Sequence, residues 1–452
     1  MSDKEAPPQS TASGGDRISA LPDGVRELVL SFLPAHEAVR MAVVARSWRD
    51  LWMRSPALRI TEWGSFDKFN QFVECLLRLR CTAPVSGHHP SSDPRAAPAL
   101  LDSCHFNFGT LDFFNYENMI QNEDIYKKLV NYWFKCALCC QVRVLQYCFS
   151  QDCGFRLELV DLTLISGHLT KLELAGVSLT DDNVDLSGCP VLWDLKVEHC
   201  YIEIWEIQSP YLQHLRMANC SFLIMSGRTL IRVPSLISLE LTECSGRAPF
   251  LDSMPSLAAA VVTFYSDDSD DRCRLSSIDV CGSDDCKGCE CYYYADSSTD
   301  RINCLLLNGL SEATNLELSA YPETVVFRRD LKFAHTFGKL KTLVLADWFV
   351  ADDLSALIWF LHHSPILEKL TLHISKVHEN AITAEQICKL PEPSVASSLL
   401  KIAEIKCHQV DGIVIEILKI LTAYGVPVEQ INIQCSAGSG YVNFKCTGFS
   451  VK

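Results

Sequence analysis

The sequence predicts an α/β protein: a short three-helix segment followed by a solenoid of leucine-rich repeats on an irregular horseshoe course. Three observations lead there. Apolar residues recur at helical spacing over residues 16–56. From residue 141 to 396, short leucine-rich strands keep returning after Pro or Gly turns. A chain of 452 residues also exceeds one ordinary core, so more than one unit is expected.

The helical segment begins at Leu21-Pro22-Asp23, where proline suits a first turn because its missing N–H has no partner there anyway. Val25, Leu28, Val29, Phe32 and Leu33 then form one apolar stripe, and Pro34 should stop the helix. A second run carries Ala38, Val39, Ala42 and Val43, with Glu37 near its positive end. A third places Trp48, Leu51 and Trp52 together. So few residues cannot bury all this apolar surface, so Leu21, Pro22 and the two tryptophans are expected to meet another surface.

The repeats are sharpest where four segments align on proline: CPVLWDLKVEHC, SPYLQHLRMANC, VPSLISLELTEC and MPSLAAAVVTFY. Pro190, Pro210, Pro234 and Pro255 are 20, 24 and 21 residues apart. That falls in the window of about 20–29 residues for leucine-rich repeats. Weaker copies follow Leu169, Leu340 and Leu367, and Ala351–His363 has the spacing of a return helix. The leucines should point inward. Cys200, Cys220 and Cys244 sit where the chain leaves the strand, which predicts buried, inert thiols. The residues between the leucines face outward: Lys171, Glu173, Asp194, Lys196, Glu198, His214, Arg216, Glu240, Lys369 and His373, with Ala175, Ala218, Ser238, Thr242 and Thr371. Their mixed charge suits a protein substrate, although any one of them is equally an ordinary solvated residue.

The order of residues in DRISALPDGVRELVLSFLPAHEAVRMAVVARSWRDLW closely resembles the F-box of plant F-box proteins: L-P-D, then an I/V-L-x-x-L-P core, then V-x-x-x-R-x-W-R-x-L-W. Ala45-Arg46-Ser47-Trp48 departs mildly from the usual S-R/K-x-W. The resemblance implies a module that binds a Skp-type adaptor and, through it, a cullin. Carried over by position, the contact residues are Leu21, Pro22, Val25, Leu28, Leu33, Val39, Val43, Trp48, Leu51 and Trp52. Residues 305–320 and 397–433 resemble the F-box/leucine-rich-repeat proteins of grasses, the latter their C-terminal FBD-type segment with a helix over Ile413–Tyr424 and a last strand holding Val428, Ile431 and Ile433. The implied function is the substrate-recognition adaptor of a Skp–cullin–F-box ubiquitin ligase. The alternative is a non-degradative repeat scaffold that retains an F-box.

The implied order is a disordered lead-in at 1–15, an F-box at 16–56, a connecting segment at 57–140 with a flexible loop at 82–99, repeats at 141–396, an FBD-like cap at 397–435 and a tail at 436–452. An acidic insertion at 266–303 interrupts the repeats. Its Cys281, Cys286, Cys289 and Cys291 match zinc in number, but only one C-x-x-C pair is present, so a loop without metal is expected. No cofactor and no catalysis are expected: G-x-S-x-G, P-loop and H-E-x-x-H patterns are missing. A net charge of −15 disfavours nucleic acid and anionic membranes as partners. An N-terminus without an apolar run points to the cytoplasm or nucleus, with reduced cysteines.

Overall fold

The computed structural model describes residues 21–44, 46–61, 66–80, 101–108, 123–149, 157–160, 164–180, 183–224, 228–264, 305–321, 324, 326–332, 334, 336–350, 354–375, 399–437 and 440–445. The expected lead-in, the loop at 82–99, the acidic insertion with its four candidate zinc ligands, and most of the tail lie outside the described residues. The chain forms two compact units, residues 1–109 with 132–146 and residues 110–131 with 147–452.

In the first unit, α1 (Asp23–Leu30) and α2 (Ala35–Val44) lead into two 3-10 turns, Arg46–Trp48 and Leu51–Arg54. Strand β1 (Ala57–Thr61), helix α3 (Phe66–Arg80) and strand β2 (Ser103–Phe108) follow. Pro22 caps α1 from outside, its carbonyl accepting from the N–H groups of Val25 and Arg26 at 3.0 and 3.2 Å. Helix α1 ends at Leu30, ahead of Pro34. The Ser31 hydroxyl donates to the Leu28 carbonyl at 2.6 Å and helps draw the chain off the helix. Pro34 instead opens α2, accepting from Glu37 and Ala38. Strands β1 and β2 pair in parallel, Leu58 beside Cys104 and Ile60 beside Phe106, and all four are buried. An aromatic cluster closes this core: Phe69 meets Phe108 and Trp133 edge-on at 5.7 and 5.4 Å.

The second unit is built on a parallel ladder of strands at 171–175, 194–198, 214–218, 238–246, 259–264, 315–320, 342–347, 369–374, 402–407 and 431–437. The strands stay in step. Leu172, Leu195, Leu215, Leu239, Ala260, Leu316, Leu343, Leu370, Ala403 and Ile431 form one continuous row, none more than 3% exposed. Each strand alone presents one narrow apolar row; stacking merges the rows into a core. Between residues 157 and 251 each repeat adds two more short strands. One set (157–159, 177–179, 201–202, 221–222) pairs in parallel, as does the other (183–185, 206–208, 230–232, 250–251). After residue 305 the connections carry helices at Leu307–Leu310, Val326–Asp330, Ser355–His363 and Gly412–Ala423.

The cysteine position works as a turn that ties repeats together. His199, Asn219 and Glu243 each precede a cysteine and adopt left-handed backbone, with φ of 54°, 52° and 54°. The N–H groups of His199 and Asn219 donate to the next strand's Ala218 and Thr242 at 2.8 and 2.9 Å. The thiols of Cys200, Cys220 and Cys244 donate backward to the carbonyls of Leu174, Val197 and Met217 at 3.8, 3.5 and 3.5 Å. All three are buried, and burial pushes the Cys244 thiol well above its ordinary pKa, so it stays protonated.

Two element boundaries differ from expectation near the C-terminus. The helix spans Gly412–Ala423, because the Asp411 carboxylate caps it, accepting from Ile413 and Val414 N–H groups at 3.1 Å each. Val428 lies in a 3-10 turn anchored by Pro427, and the strand begins at Ile431. That strand gains an antiparallel partner, Gly440–Lys445.

Candidate functional site

On α1 the apolar stripe faces solvent. Val25, Leu28, Val29 and Phe32 are 43, 51, 41 and 66% exposed. Leu21 and Val43 are exposed too. The opposite side of α1, Arg26 and Leu30, is the buried one. A buried arginine sets this roll. Its Nη1 donates to the Ser47 carbonyl at 3.0 Å, its Nη2 pairs with Asp23, and its guanidinium lies 5.7 Å from the centre of the Trp48 ring. Two further arginines hold the helix from outside. Arg54 Nε donates to Glu27 Oε1 at 2.7 Å and its Nη2 to Asp23 Oδ2 at 3.3 Å, while Arg59 Nε donates to the Ser31 carbonyl at 3.0 Å. An exposed row of large apolar side chains, three on a helix fastened at both ends and Phe32 just past its end, is a surface shaped for a partner.

Of the ten residues carried over by resemblance, Leu21, Pro22, Val25, Leu28 and Val43 are exposed, and Leu33 and Val39 are half-buried. Trp48, Leu51 and Trp52, expected at another surface, are buried within the free chain and support the face from beneath. The reason is size. In so small a module the tryptophan rings supply the largest apolar area, and the core takes them first. Beside them on α2, burial holds His36 below the ordinary histidine range.

The second candidate surface is the outward side of the ladder. Lys171, Asp194 and His214 share one row, and Glu173, Lys196, Arg216 and Glu240 the next. Glu198 continues a third row, and further along the ladder Lys369 and His373 face the same way. The charges neutralise one another. Lys171 pairs with Glu173 and Asp194 at 2.9 and 3.2 Å, Lys196 with Glu198 at 2.9 Å, Arg216 with Glu240 at 3.4 Å, and Lys369 with Glu404 at 3.2 Å. The hydrogen bond to Glu173 raises the Lys171 ammonium above its usual pKa, and burial lowers His373 below its own. Ala218 and Thr371 are buried, so they offer no outward surface.

Apolar side chains just ahead of the strands escaped the sequence reading. Trp193, Tyr211 and Ile237 are 44, 44 and 40% exposed, and Trp193 meets the His214 ring edge-on at 5.6 Å. The signal was available: each stands at a variable position of the P-x-L-x-x-L pattern, next to an inward-facing leucine. Among the described residues no group of three or more His, Cys, Asp or Glu is placed to hold a metal ion, and no helix is long and apolar enough to cross a membrane.

Residues 18–59 match the model of the F-box domain. The chain carries an F-box domain. The F-box covers α1, α2, both 3-10 turns and the start of β1, so the outward stripe lies wholly on it. Similarity extends over most of the chain to plant proteins. A putative F-box/FBD/LRR-repeat protein of Arabidopsis thaliana is 24% identical over 402 residues, 84% of this chain and 79% of that protein. An F-box/LRR-repeat protein of the same plant is 24% identical over 386 residues, 81% of this chain and 72% of that protein. The meiotic F-box protein MOF of Oryza sativa subsp. japonica is 25% identical over 427 residues, 86% of this chain and 80% of that protein. The Arabidopsis relatives are thus named for F-box, FBD and LRR elements, and the rice relative for its F-box.

Proposed function

We propose that the chain is a non-catalytic adaptor of a Skp–cullin–F-box ubiquitin ligase. Its F-box docks a Skp-type adaptor, and through it a cullin, while its repeats hold a protein substrate. The carrying observation is the outward row Val25, Leu28, Val29 and Phe32, fixed in place by Arg26, Arg54 and Arg59. Of the ten residues carried over, the docking set takes Leu21, Pro22, Val25, Leu28, Leu33, Val39 and Val43 as its surface and Trp48, Leu51 and Trp52 as its support, with Val29 and Phe32 added by exposure. The step-locked parallel ladder supports reading the second unit as a leucine-rich-repeat solenoid. Its outward rows, with Trp193, Tyr211 and Ile237 along one edge, are the candidate substrate surface. Their paired charges favour a partner read by shape and apolar contact over one of strong net charge.

The test is co-purification of the full chain with a Skp-type adaptor and cullin, followed by titration. A double Val25→Asp/Leu28→Asp change should weaken adaptor affinity by more than about a hundredfold, since each buried apolar side chain is worth about 1.5–3 kcal/mol. Both positions are exposed in the free protein, so thermal unfolding should hardly change. Unaltered adaptor binding by the double variant would remove the docking assignment.

A further inference from the structure

The match to the F-box family ends at residue 59, yet a side chain well beyond it holds the F-box together. Arg80 is the last residue of α3 and is 2% exposed. Its Nη1 donates to the Trp52 carbonyl at 3.0 Å and also reaches the Met53 carbonyl, and its Nη2 donates to the Ser55 carbonyl at 2.6 Å. These three carbonyls belong to the end of the second 3-10 turn, Leu51–Arg54, and the residue that follows it. The Trp52 carbonyl also accepts from the Ser55 N–H at 3.3 Å, while the end of a helical turn generally leaves its last carbonyls without intrahelical partners and carries partial negative charge. A planar guanidinium can meet three of them at once; an ammonium is a single point with a different geometry.

The same turn steers α1. Leu51 and Trp52 are buried beneath the outward stripe, and Arg54, one residue from the clamped carbonyls, bonds Glu27 and Asp23 on α1. Arg80 therefore fixes the turn, and the turn fixes the roll of the helix that carries Val25, Leu28 and Val29 and leads into Phe32. Burial disfavours the charged form of Arg80, so its placement is one that only a full set of carbonyl partners makes tolerable.

We propose that Arg80 is a positioning residue for adaptor docking, and that the docking-competent unit of this chain extends through α3 beyond the F-box itself. This rests on the adaptor-binding reading above. The experiment titrates a Skp-type adaptor against the full chain carrying Arg80→Met or Arg80→Lys, beside wild type and Lys339→Met as a surface control in the second unit. Circular dichroism checks that each variant is folded. Wild type and the control should bind alike. Arg80→Met should bind at least about tenfold more weakly, and Arg80→Lys should recover part of the loss because it restores the charge but not the fork. If Arg80→Met is not recovered folded, Arg80→Lys decides, with a loss of several-fold expected. Wild-type affinity in either folded Arg80 variant would overturn the proposal. Failure of the wild-type chain to bind the adaptor would instead overturn the reading on which it rests.

Discussion

Replacing Asp330 by alanine is expected to lower the unfolding free energy of the second unit by about 3–5 kcal/mol, measured by urea titration. Asp330 ends the helix Val326–Asp330 and is fully buried. Its Oδ1 accepts from the Leu305 N–H at 2.9 Å, and its Oδ2 accepts from Leu306 and Leu307 at 2.6 and 3.0 Å. Those three donors stand at the start of the short helix Leu307–Leu310, where they have no intrahelical partner. The carboxylate therefore pins the chain at the start of that helix. Truncation leaves three buried N–H groups unsatisfied, and an unmade buried hydrogen bond costs more than a made one contributes. Asp330→Asn keeps one acceptor oxygen and should lose less. Equal stability of Asp330→Ala and wild type would show that the three donors have other partners.

Gly246→Ala should destabilise the same unit by about 2–5 kcal/mol, from left-handed backbone strain and overpacking together. Gly246 has φ +80°, and a Cβ built on it would lie 2.1 Å from the Phe222 carbonyl oxygen. That oxygen already accepts from the Arg247 N–H at 3.1 Å, so neither strand can retreat without breaking the ladder. His199, Asn219 and Glu243 tolerate left-handed backbone one repeat after another, so φ alone does not decide the outcome. The close carbonyl does. The readout is again the urea midpoint, and a loss no larger than a few tenths of a kcal/mol would contradict the close approach of these two strands.

The ladder was legible because stacking imposes one rule on every repeat. Leu195, Leu215 and Leu239 must share a row, so their spacing recurs along the chain. The same logic exposed Cys200, Cys220 and Cys244, whose thiols bond the preceding repeat. The added short strands at 183–185, 206–208 and 230–232 carry no such signature; three residues show no period. The roll of α1 could not be read from spacing, and only the resemblance placed Val25 and Leu28 against a partner. Val25, Leu28, Val29 and Phe32 have the spacing of a core-facing stripe, and arginine is seldom buried, so Arg26 reads as the solvent side. The inversion depends on Ser47 and Trp48, which approach Arg26 only after the chain has turned twice. Arg80 was hidden likewise, because its carbonyl partners lie 25 to 28 residues earlier and carbonyls leave no mark in a sequence. The rice and Arabidopsis homologues name the elements, and they do not say which side of a helix faces out.

The central claim is that the face of α1 opposite Arg26 is the docking surface. Carbene footprinting of the full chain, with and without a saturating Skp-type adaptor, reads side-chain burial directly. Val25, Leu28, Val29, Phe32 and Val43 should label strongly in the free chain and lose most of that label on binding. Trp48 and Trp52 should label weakly in both states, since both are already interior. Unchanged labelling of Leu28 and Phe32 in a saturated complex would contradict the account.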